Sequence, residues 1–144
     1  MTADREFVHA RVIDAPPEEV FARFSNPALL ANWWGPDGFT NVFEAFEFRS
    51  GGSWRFVMHG PGGQQYPMAC RFVEIVPGER VVIENLAQGH HFVLTVTLER
   101  EGRSGTQVTW RQLFDTAEEH DRVASVVRPA NEQNLGRLAA AVRS

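Results

Sequence analysis

Hydrophobic and polar positions alternate along most of the middle of this chain. Between residues 39 and 114, short alternating runs are separated by turns that contain Gly or Pro, which is typical of half-buried antiparallel strands. A similar run lies near the N-terminus. The pattern predicts seven strands, at residues 7–14, 39–48, 53–59, 66–76, 80–87, 91–101 and 105–114.

Two short helices are predicted between the first and second strands. The prolines and the glutamate pair after Asp14 are typical of the first turn of a helix, with Asp14 or Ala15 as its cap. Asn26, followed by a proline, predicts the start of the second helix. We expect that helix to end near Gly35, which can adopt the left-handed conformation, because the next residue is a proline that prevents continuation.

The last part of the chain changes to a helical period, from about residue 118 to residue 143. The apolar residues expected to form one buried stripe are Val123, Val126, Val127, Ala130, Leu135, Leu138 and Val142. The charged residues predicted to lie outside the stripe and to face water are Arg122, Arg128, Glu132 and Arg137. Because Pro129 cannot sit unkinked inside a helix, we expect either a short turn near 117–124 and a main helix from Pro129, or one kinked helix.

The order of these elements predicts a fold class. One strand, two short helices, six strands and a long helix indicate a single α+β domain over residues 1–144, with the long helix lying along a bent antiparallel sheet. The apolar concave face of such a sheet has to be covered, and the C-terminal helix is the element available to cover it. The function depends on whether the space between them is a filled core or a ligand cavity.

Composition and charge exclude several classes of function. The 144 residues carry a formal net charge of −4, and the basic residues are all Arg without a cluster, which argues against a nucleic-acid partner. The polar N-terminus does not have the pattern of a signal peptide, and no apolar run reaches the ~20 residues of a membrane span. We therefore expect a cytoplasmic protein, either monomer or homodimer. Cys70, the single cysteine, excludes an intrachain disulfide and is predicted to be a buried, inert thiol.

The aromatic residues are the strongest candidates for a ligand site. Eleven Phe and four Trp stand against one Tyr, a composition that suits an apolar core and an apolar pocket equally. Burial of one such side chain contributes roughly 1.5–3 kcal/mol, so a core alone would account for them. The residues predicted to line a cavity are Trp33, Trp34, Phe43, Trp54, Phe56, Met58, Met68, Phe72, Glu84, Phe92, Leu94, Trp110 and Val127.

Charged residues within the strands leave a further alternative open. They are Glu47, Arg49, Arg71, Glu84 and Arg111, and the neutral polar residues Asn85 and Gln112 interrupt apolar runs in the same way. On a half-solvated sheet they occupy the wet face, whereas an inward carboxylate could orient a ligand or act as an acid or base. Strand parity does not decide between these alternatives, because one β-bulge reverses it.

Metal binding and nucleophilic catalysis have no support in the sequence. The five His residues do not show a metal-ligand spacing such as i, i+4 on a helix, and there is no Gly-x-Ser-x-Gly segment. We therefore predict neither a metal nor a cofactor.

Several segments together resemble one protein family. The opening RVIDAPPEEVFARFSNPALLANWWGPDGF resembles the start of the START-like, Bet v 1-like superfamily (SRPBCC domains), in the branch related to the activator of Hsp90 ATPase. The segments FEFRSGGSWRFVM, FVEIVPGERVVIEN and VTLEREGRSGTQVTWRQLFDT resemble its successive strands, and NEQNLGRLAAAV resembles its closing helix. The resemblance covers essentially the whole chain. It implies a helix-grip fold: a seven-stranded antiparallel sheet wrapped around a long C-terminal helix, with an apolar cavity between.

The resemblance implies three possible functions. Superfamily members bind lipids, sterols or polyketides, so the first hypothesis is a binder of a small hydrophobic ligand in a cavity of several hundred Å³. Some members are aromatase/cyclases, so the second is an enzyme of the cyclase or hydratase type that needs an inward carboxylate or His. The eukaryotic namesake stimulates the Hsp90 ATPase, so the third is a module for a chaperone partner, with an exposed apolar patch. The family has no universal catalytic residues, and the catalytic residues are left unassigned.

Overall fold

The computed structural model describes residues 2–87 and 89–143, and its main element is one antiparallel sheet of seven strands. The strands are β1 Glu6–Ile13, β2 Thr40–Phe46, β3 Ser53–His59, β4 Gln65–Val76, β5 Arg80–Asn85, β6 Phe92–Glu101 and β7 Gly105–Phe114. Their order across the sheet is β1-β7-β6-β5-β4-β3-β2, so that β1 and β2 form the two edges. All seven predicted strands are confirmed, with ends that differ by at most two residues.

Two β-bulges interrupt the regular register of the sheet. One lies in β2 between Phe43 and Ala45, and the other in β4 between Phe72 and Glu74. Each bulge inserts an unpaired residue, bends its strand and reverses the parity of the side chains beyond it. This reversal is why the alternation in the sequence does not by itself identify the inner face.

The two short helices are α1 Pro17–Ser25 and α2 Pro27–Trp33, as predicted between β1 and β2. The cap of α1 is a correction: Pro16 occupies the N-cap position and makes no side-chain hydrogen bond, while the Asp14 carboxylate accepts a hydrogen bond from Ser104 instead. The predicted cap of α2 is confirmed, because Asn26 Oδ1 accepts hydrogen bonds from the backbone N–H groups of residues 28 and 29. Gly35 has a φ of 97°, the left-handed conformation expected after α2.

The C-terminal helix, α3, runs without interruption over Ala117–Arg143 and contains Pro129. The alternative of a separate turn before Pro129 is therefore wrong, and one long helix is present. Its backbone comes closest to β1, β7, α1, α2 and the 3-10 turn at Thr2–Arg5. Between α3 and the strands β3 to β6 lie large side chains, among them Trp54, Phe56 and Phe72.

Two residues of α3 lie differently from the prediction. Leu135, Leu138 and Val142 are buried as expected, but Val126 is 70% exposed and does not belong to the buried stripe. Arg137, predicted to face water, is half-buried against the end of α2. In the N-terminal half of α3, the buried face contains a polar residue, His120. Its ring stacks on that of Phe7, with 3.9 Å between the ring centroids.

The core contains a cluster of aromatic side chains on the inner face of the sheet, surrounded by aliphatic residues. Trp54 stacks between Phe56 and Phe72, with ring centroids 4.3 Å and 5.5 Å away, and Trp34 contacts Trp54 edge-on at 5.1 Å. None of the helices described here has the length and apolar character that a membrane crossing requires.

Candidate ligand cavity

A cavity of about 140 Å³ lies between the inner face of the sheet and α3. Its walls come from the end of α2, from strands β3 to β7, and from one face of α3. Of the residues predicted to line it, those that do so are Trp34, Phe56, Met58, Met68, Phe92, Leu94 and Trp110. The lining also includes residues that were not predicted: Gly35, Pro36, Cys70, Ile83, Gln112, Ala130, Asn131 and Asn134.

Burial distinguishes the deep part of the cavity from the part nearer the surface. Phe56, Leu94 and Trp110 are almost completely buried, whereas Met58 and Met68 are only partly so. Pro36, Phe92 and Ala130 on the lining are likewise half-buried. The cavity therefore approaches the surface beside its half-buried lining residues, which include two methionines with flexible side chains.

Five of the other predicted residues lie away from the cavity lining. Phe43, Trp54 and Phe72 belong to the aromatic core behind the cavity wall. Trp33 packs edge-on against Phe24 at 5.0 Å and donates its indole N–H to the Arg23 carbonyl oxygen at 3.1 Å. Val127 is half-buried on α3 outside the lining.

Glu84, the one charged residue predicted at the cavity, lies on the outer face of the sheet. In β5 the side chains of Val81, Ile83 and Asn85 are buried, so Glu84 points to the opposite side. Its carboxylate accepts a hydrogen bond from Arg71 Nη2 at 2.9 Å. Glu84 and Arg71 thus form an ion pair on the outer face of the sheet, where both side chains remain partly exposed to water.

The other charged strand residues also lie away from the cavity. Arg111 of β7 pairs with Glu6 of the neighbouring edge strand β1 at 3.2 Å. Glu47 follows β2 in an exposed turn, where backbone hydrogen bonding from Ser53 and the nearby Arg49 guanidinium lower the pKa of its carboxyl. These residues therefore do not orient a ligand in the cavity.

Three amide side chains supply the polar part of the cavity instead. Asn131 Nδ2 donates to Gln112 Oε1 at 3.0 Å, which joins α3 to β7. Asn134 donates from Nδ2 to the Trp33 carbonyl at 3.1 Å and accepts from the Gly35 N–H at 3.2 Å. The sequence signal for Gln112 is that it interrupts an apolar run of β7. For Asn131 and Asn134 the signal is a pair of amides three residues apart beside the apolar stripe of the last helix, which places them on one face.

Two buried indole N–H groups have no hydrogen-bond partner among the described residues. They belong to Trp54 and Trp110, and Trp110 lines the cavity. A buried donor without an acceptor costs about 1–3 kcal/mol relative to a satisfied one. Trp110 is therefore a residue of the lining whose indole N–H has no acceptor among the described residues.

Arg137 supports the wall of the cavity from behind. Its Nη1 donates to the carbonyl oxygens of Gly35 at 2.9 Å and Pro36 at 2.8 Å, and its Nη2 donates to that of Phe39 at 3.0 Å. Burial lowers the pKa of this guanidinium. The cation thus satisfies carbonyl groups at the end of α2 and holds the loop that carries the Trp34–Pro36 part of the lining.

The described lining of this cavity contains no Asp, Glu or His that could serve in acid–base catalysis. Among the described residues of the lining, the only titratable side chain is Cys70, and burial raises the pKa of its thiol to about 12. That thiol stays protonated near neutral pH, as expected for a buried, inert cysteine. A lining of this composition is suited to holding an uncharged molecule.

A cluster of charged side chains lies outside the cavity, near the start of β6. His91 contacts Glu84 through Nε2 and Asp115 through Nδ1, both at 2.7 Å. These two carboxylates raise the pKa of His91, Glu84 having the larger effect. His91 and then Arg71 lower the pKa of Glu84. Within residues 2–87 and 89–143, no group of three or more His, Cys, Asp or Glu side chains is placed to hold a metal ion.

Solved structures of several bacterial proteins have the same fold. A protein from Arthrobacter aurescens is 22% identical to this chain, with a TM-score of 0.90. The match covers 99% of this chain and 88% of the chain of that protein. One from Nitrosomonas europaea is 18% identical with a TM-score of 0.88, covering 99% and 97%. One from Chromobacterium violaceum is 27% identical with a TM-score of 0.82, covering 96% and 98%. These likenesses establish the helix-grip fold.

Sequence comparison places the chain in a family. No curated protein sequence matches it. The profile of the family described as Activator of Hsp90 ATPase homolog 1-like protein matches residues 14–143, from the end of β1 to the end of α3. The chain therefore belongs to the Activator of Hsp90 ATPase homolog 1-like protein family, within the START-like, Bet v 1-like superfamily.

Proposed function

We propose that this protein binds a small hydrophobic ligand in the cavity between the sheet and α3. The observation that supports the proposal is an apolar space of about 140 Å³ beneath the helix, whose half-buried lining residues include Met58 and Met68. Most of its lining is aromatic or aliphatic, and burial of carbon surface is the main source of affinity in such sites.

The size of the space restricts the class of ligand. A dry apolar cavity of about 150 Å³ binds benzene, whereas ordinary ligand sites measure roughly 300–1,000 Å³. The cavity is smaller than the several hundred Å³ expected from the resemblance. We therefore propose a compact, aromatic-type molecule, in place of an extended lipid or a polyketide chain.

Thermal stabilisation by ligands tests this proposal directly. A compound that binds the folded state at 100 times its Kd stabilises it by about 2.7 kcal/mol, and each kcal/mol shifts the Tm by about 2–4 °C for a chain of this size. We expect single-ring aromatic compounds to raise the Tm. No rise with any such compound would contradict the proposal.

A matched pair of variants on α3 locates the binding site. Ala130→Leu places extra carbon in the cavity, and we expect it to abolish the ligand-induced shift. Ala140→Leu makes the same change at an exposed position of the same helix, outside the cavity lining, and should leave the shift intact. An unchanged shift in Ala130→Leu would mean that the ligand binds elsewhere.

A chaperone partner is the second candidate, and family membership is the observation that favours it. The described surface carries exposed Val8 and Val12 on the outer face of the edge strand β1. If this function holds, the protein stimulates the ATPase of the source organism's own Hsp90, and Val12→Ser reduces the stimulation. Absence of stimulation by the unaltered protein would reject it. Ala130→Leu is the control that separates the two functions, since it blocks only the cavity.

A further inference from the structure

We infer that the ligand carries an uncharged hydrogen-bond acceptor, such as a carbonyl oxygen, which accepts from the Trp110 indole N–H inside the cavity. This inference rests on the proposed function and specifies the chemistry of the same site. Trp110 is 2% exposed and lines the cavity, and its Nε1–H is buried with no partner among the described residues.

The neighbouring amides add donors to the same part of the cavity. Gln112 lies two residues after Trp110 in β7, so both side chains point to the inner face. Gln112 Oε1 is occupied by Asn131 Nδ2, which leaves the Gln112 amide N–H groups without a partner in the part of the chain described. Among these side chains in the described chain, Asn131 Oδ1 is also without a partner, but the N–H groups of Trp110 and Gln112 outnumber it, so an acceptor on a bound molecule would satisfy a remaining donor.

The lining also decides the charge of that acceptor. None of the described lining residues is an Arg, Lys or His, so the lining offers no cation to pair with a carboxylate. The nearest guanidinium, that of Arg137, is held by backbone carbonyls behind the Trp34–Pro36 wall. Burial of an unpaired carboxylate is far more costly than burial of a carbonyl. The site therefore selects a neutral polar group on an aromatic body.

Three probes of nearly equal size separate these contributions. Acetophenone has a carbonyl where α-methylstyrene has a C=CH₂ group, so the two differ in the acceptor and hardly in shape. Benzoate adds a negative charge. Because one net hydrogen bond changes affinity by about three- to tenfold, we expect acetophenone to bind more tightly than α-methylstyrene by that factor. Benzoate should bind more weakly than either.

Two tryptophan variants test whether Trp110 supplies the hydrogen-bond donor. Trp110→Phe removes the indole N–H at the cavity, and we expect the preference for acetophenone to fall to about equal affinity while α-methylstyrene still binds. Trp54→Phe removes the other unpaired indole N–H, which lies in the same aromatic cluster but not on the lining, and should keep the preference.

Nuclear magnetic resonance of the unaltered protein provides a test that does not depend on variants that fold. Four Trp residues give four indole N–H signals, and we expect acetophenone to move the Trp110 signal downfield while α-methylstyrene does not. If both probes bind with equal affinity, or if benzoate binds best, this inference is overturned and the hydrophobic binder stands. If neither neutral probe binds, the proposed function fails as well.

Discussion

Arg137 has a structural role that the hydrophobic pattern of α3 did not indicate. It lies outside the apolar stripe of α3, yet its guanidinium donates to five carbonyl oxygens between residues 32 and 39. The last carbonyls of a helix have no partner within the helix, and a cation there also interacts favourably with the helix dipole. Arg137 therefore connects α3 to the end of α2 and to the loop that follows it.

Replacement of Arg137 should destabilise the protein more than replacement of other arginines of α3. We expect Arg137→Ala to lower the free energy of unfolding by about 2–4 kcal/mol, because several hydrogen bonds from a charged donor are lost and buried carbonyls are left unpaired. Arg137→Lys should recover only part of this, since an ammonium group lacks the planar fork. Urea denaturation measures both.

The control for Arg137 is Arg122→Ala. Arg122 is exposed and pairs only with Glu119 one turn away, so its loss should change stability far less. Similar losses for Arg122→Ala and Arg137→Ala would show that the carbonyl contacts of Arg137 carry no special weight.

The cluster of His91 with Glu84 and Asp115 should make stability depend on pH. The pKa of His91 is raised from 6.5, so its stabilisation is complete below that value and is lost as pH rises through the elevated pKa. The pKa of Glu84 is lowered from 4.5, so its stabilisation is present above that value and is lost as pH falls through the depressed pKa. Both contributions are present together between pH 4.5 and 6.5.

We therefore expect His91→Gln to be less stable than the unaltered protein near pH 5–6, by a few tenths to about 1 kcal/mol for partly exposed ion pairs. The difference should disappear at higher pH, where His91 is neutral. His90→Gln changes the exposed neighbour, whose side chain forms no hydrogen bond with the described residues, and serves as the control. A pH-independent difference for His91→Gln would argue against the ion pairs.

At the scale of elements, α3 contains a local conflict at Pro129. A proline inside a helix lacks the N–H that would bond the carbonyl four residues earlier, and its ring crowds that carbonyl. The helix nevertheless continues through this position, and its C-terminal part is anchored by the buried Leu135 and Leu138. Tertiary packing thus maintains a helix that local propensity disfavours.

Pro129→Ala should stabilise the protein by about 1–3 kcal/mol, because the helix bond is restored and the exposed proline ring contributes little packing. Greater freedom of the unfolded chain offsets part of this gain. Pro27→Ala is the matched control: Pro27 stands at the first turn of α2, where proline is favourable, and its removal should not stabilise. Thermal unfolding of both variants measures these changes in stability. A lower Tm for Pro129→Ala than for the unaltered protein would contradict the prediction.

At the scale of the whole molecule, the cavity is a gap between elements that are distant in the chain. Its lining joins the end of α2 to five strands and α3, so its volume depends on how the sheet curves under the helix. Leu94 forms part of its wall at the centre of the sheet and is fully buried.

Leu94→Ala should enlarge the cavity and lower the free energy of unfolding by about 2–5 kcal/mol, the usual range for buried Leu→Ala changes. The larger space should then admit a two-ring aromatic compound that the unaltered protein does not bind, measured as a ligand-induced rise in Tm. Leu113→Ala makes the same change on the outer face of the sheet, where Leu113 is half-buried, and should cost less and bind no new compound.

Much of the architecture follows from local patterns. The alternation of the strands, the Asn26 cap and the turn at Gly35 depend on residues close together in the chain, which is why all seven strands and three α-helices could be predicted. The part of the cavity lining that was predicted consists of large apolar side chains on those strands, such as Phe56 and Trp110. The hydrophobicity of a side chain predicts that it is buried. It does not predict whether that side chain packs against another residue or lines a cavity.

The sequence by itself determined the elements and their order, because these depend on periodicity and on local turn chemistry, and its resemblance to known sequences identified the family. Only the tertiary structure decided which face each polar residue occupies. Bulges at residues 43–45 and 72–74 alter strand parity, and the ion pairs of Glu84 and the carbonyl contacts of Arg137 join residues far apart in the chain. The unpaired N–H of Trp110 beside the cavity belongs to this second group, because a missing partner exists only once the surrounding chains have packed.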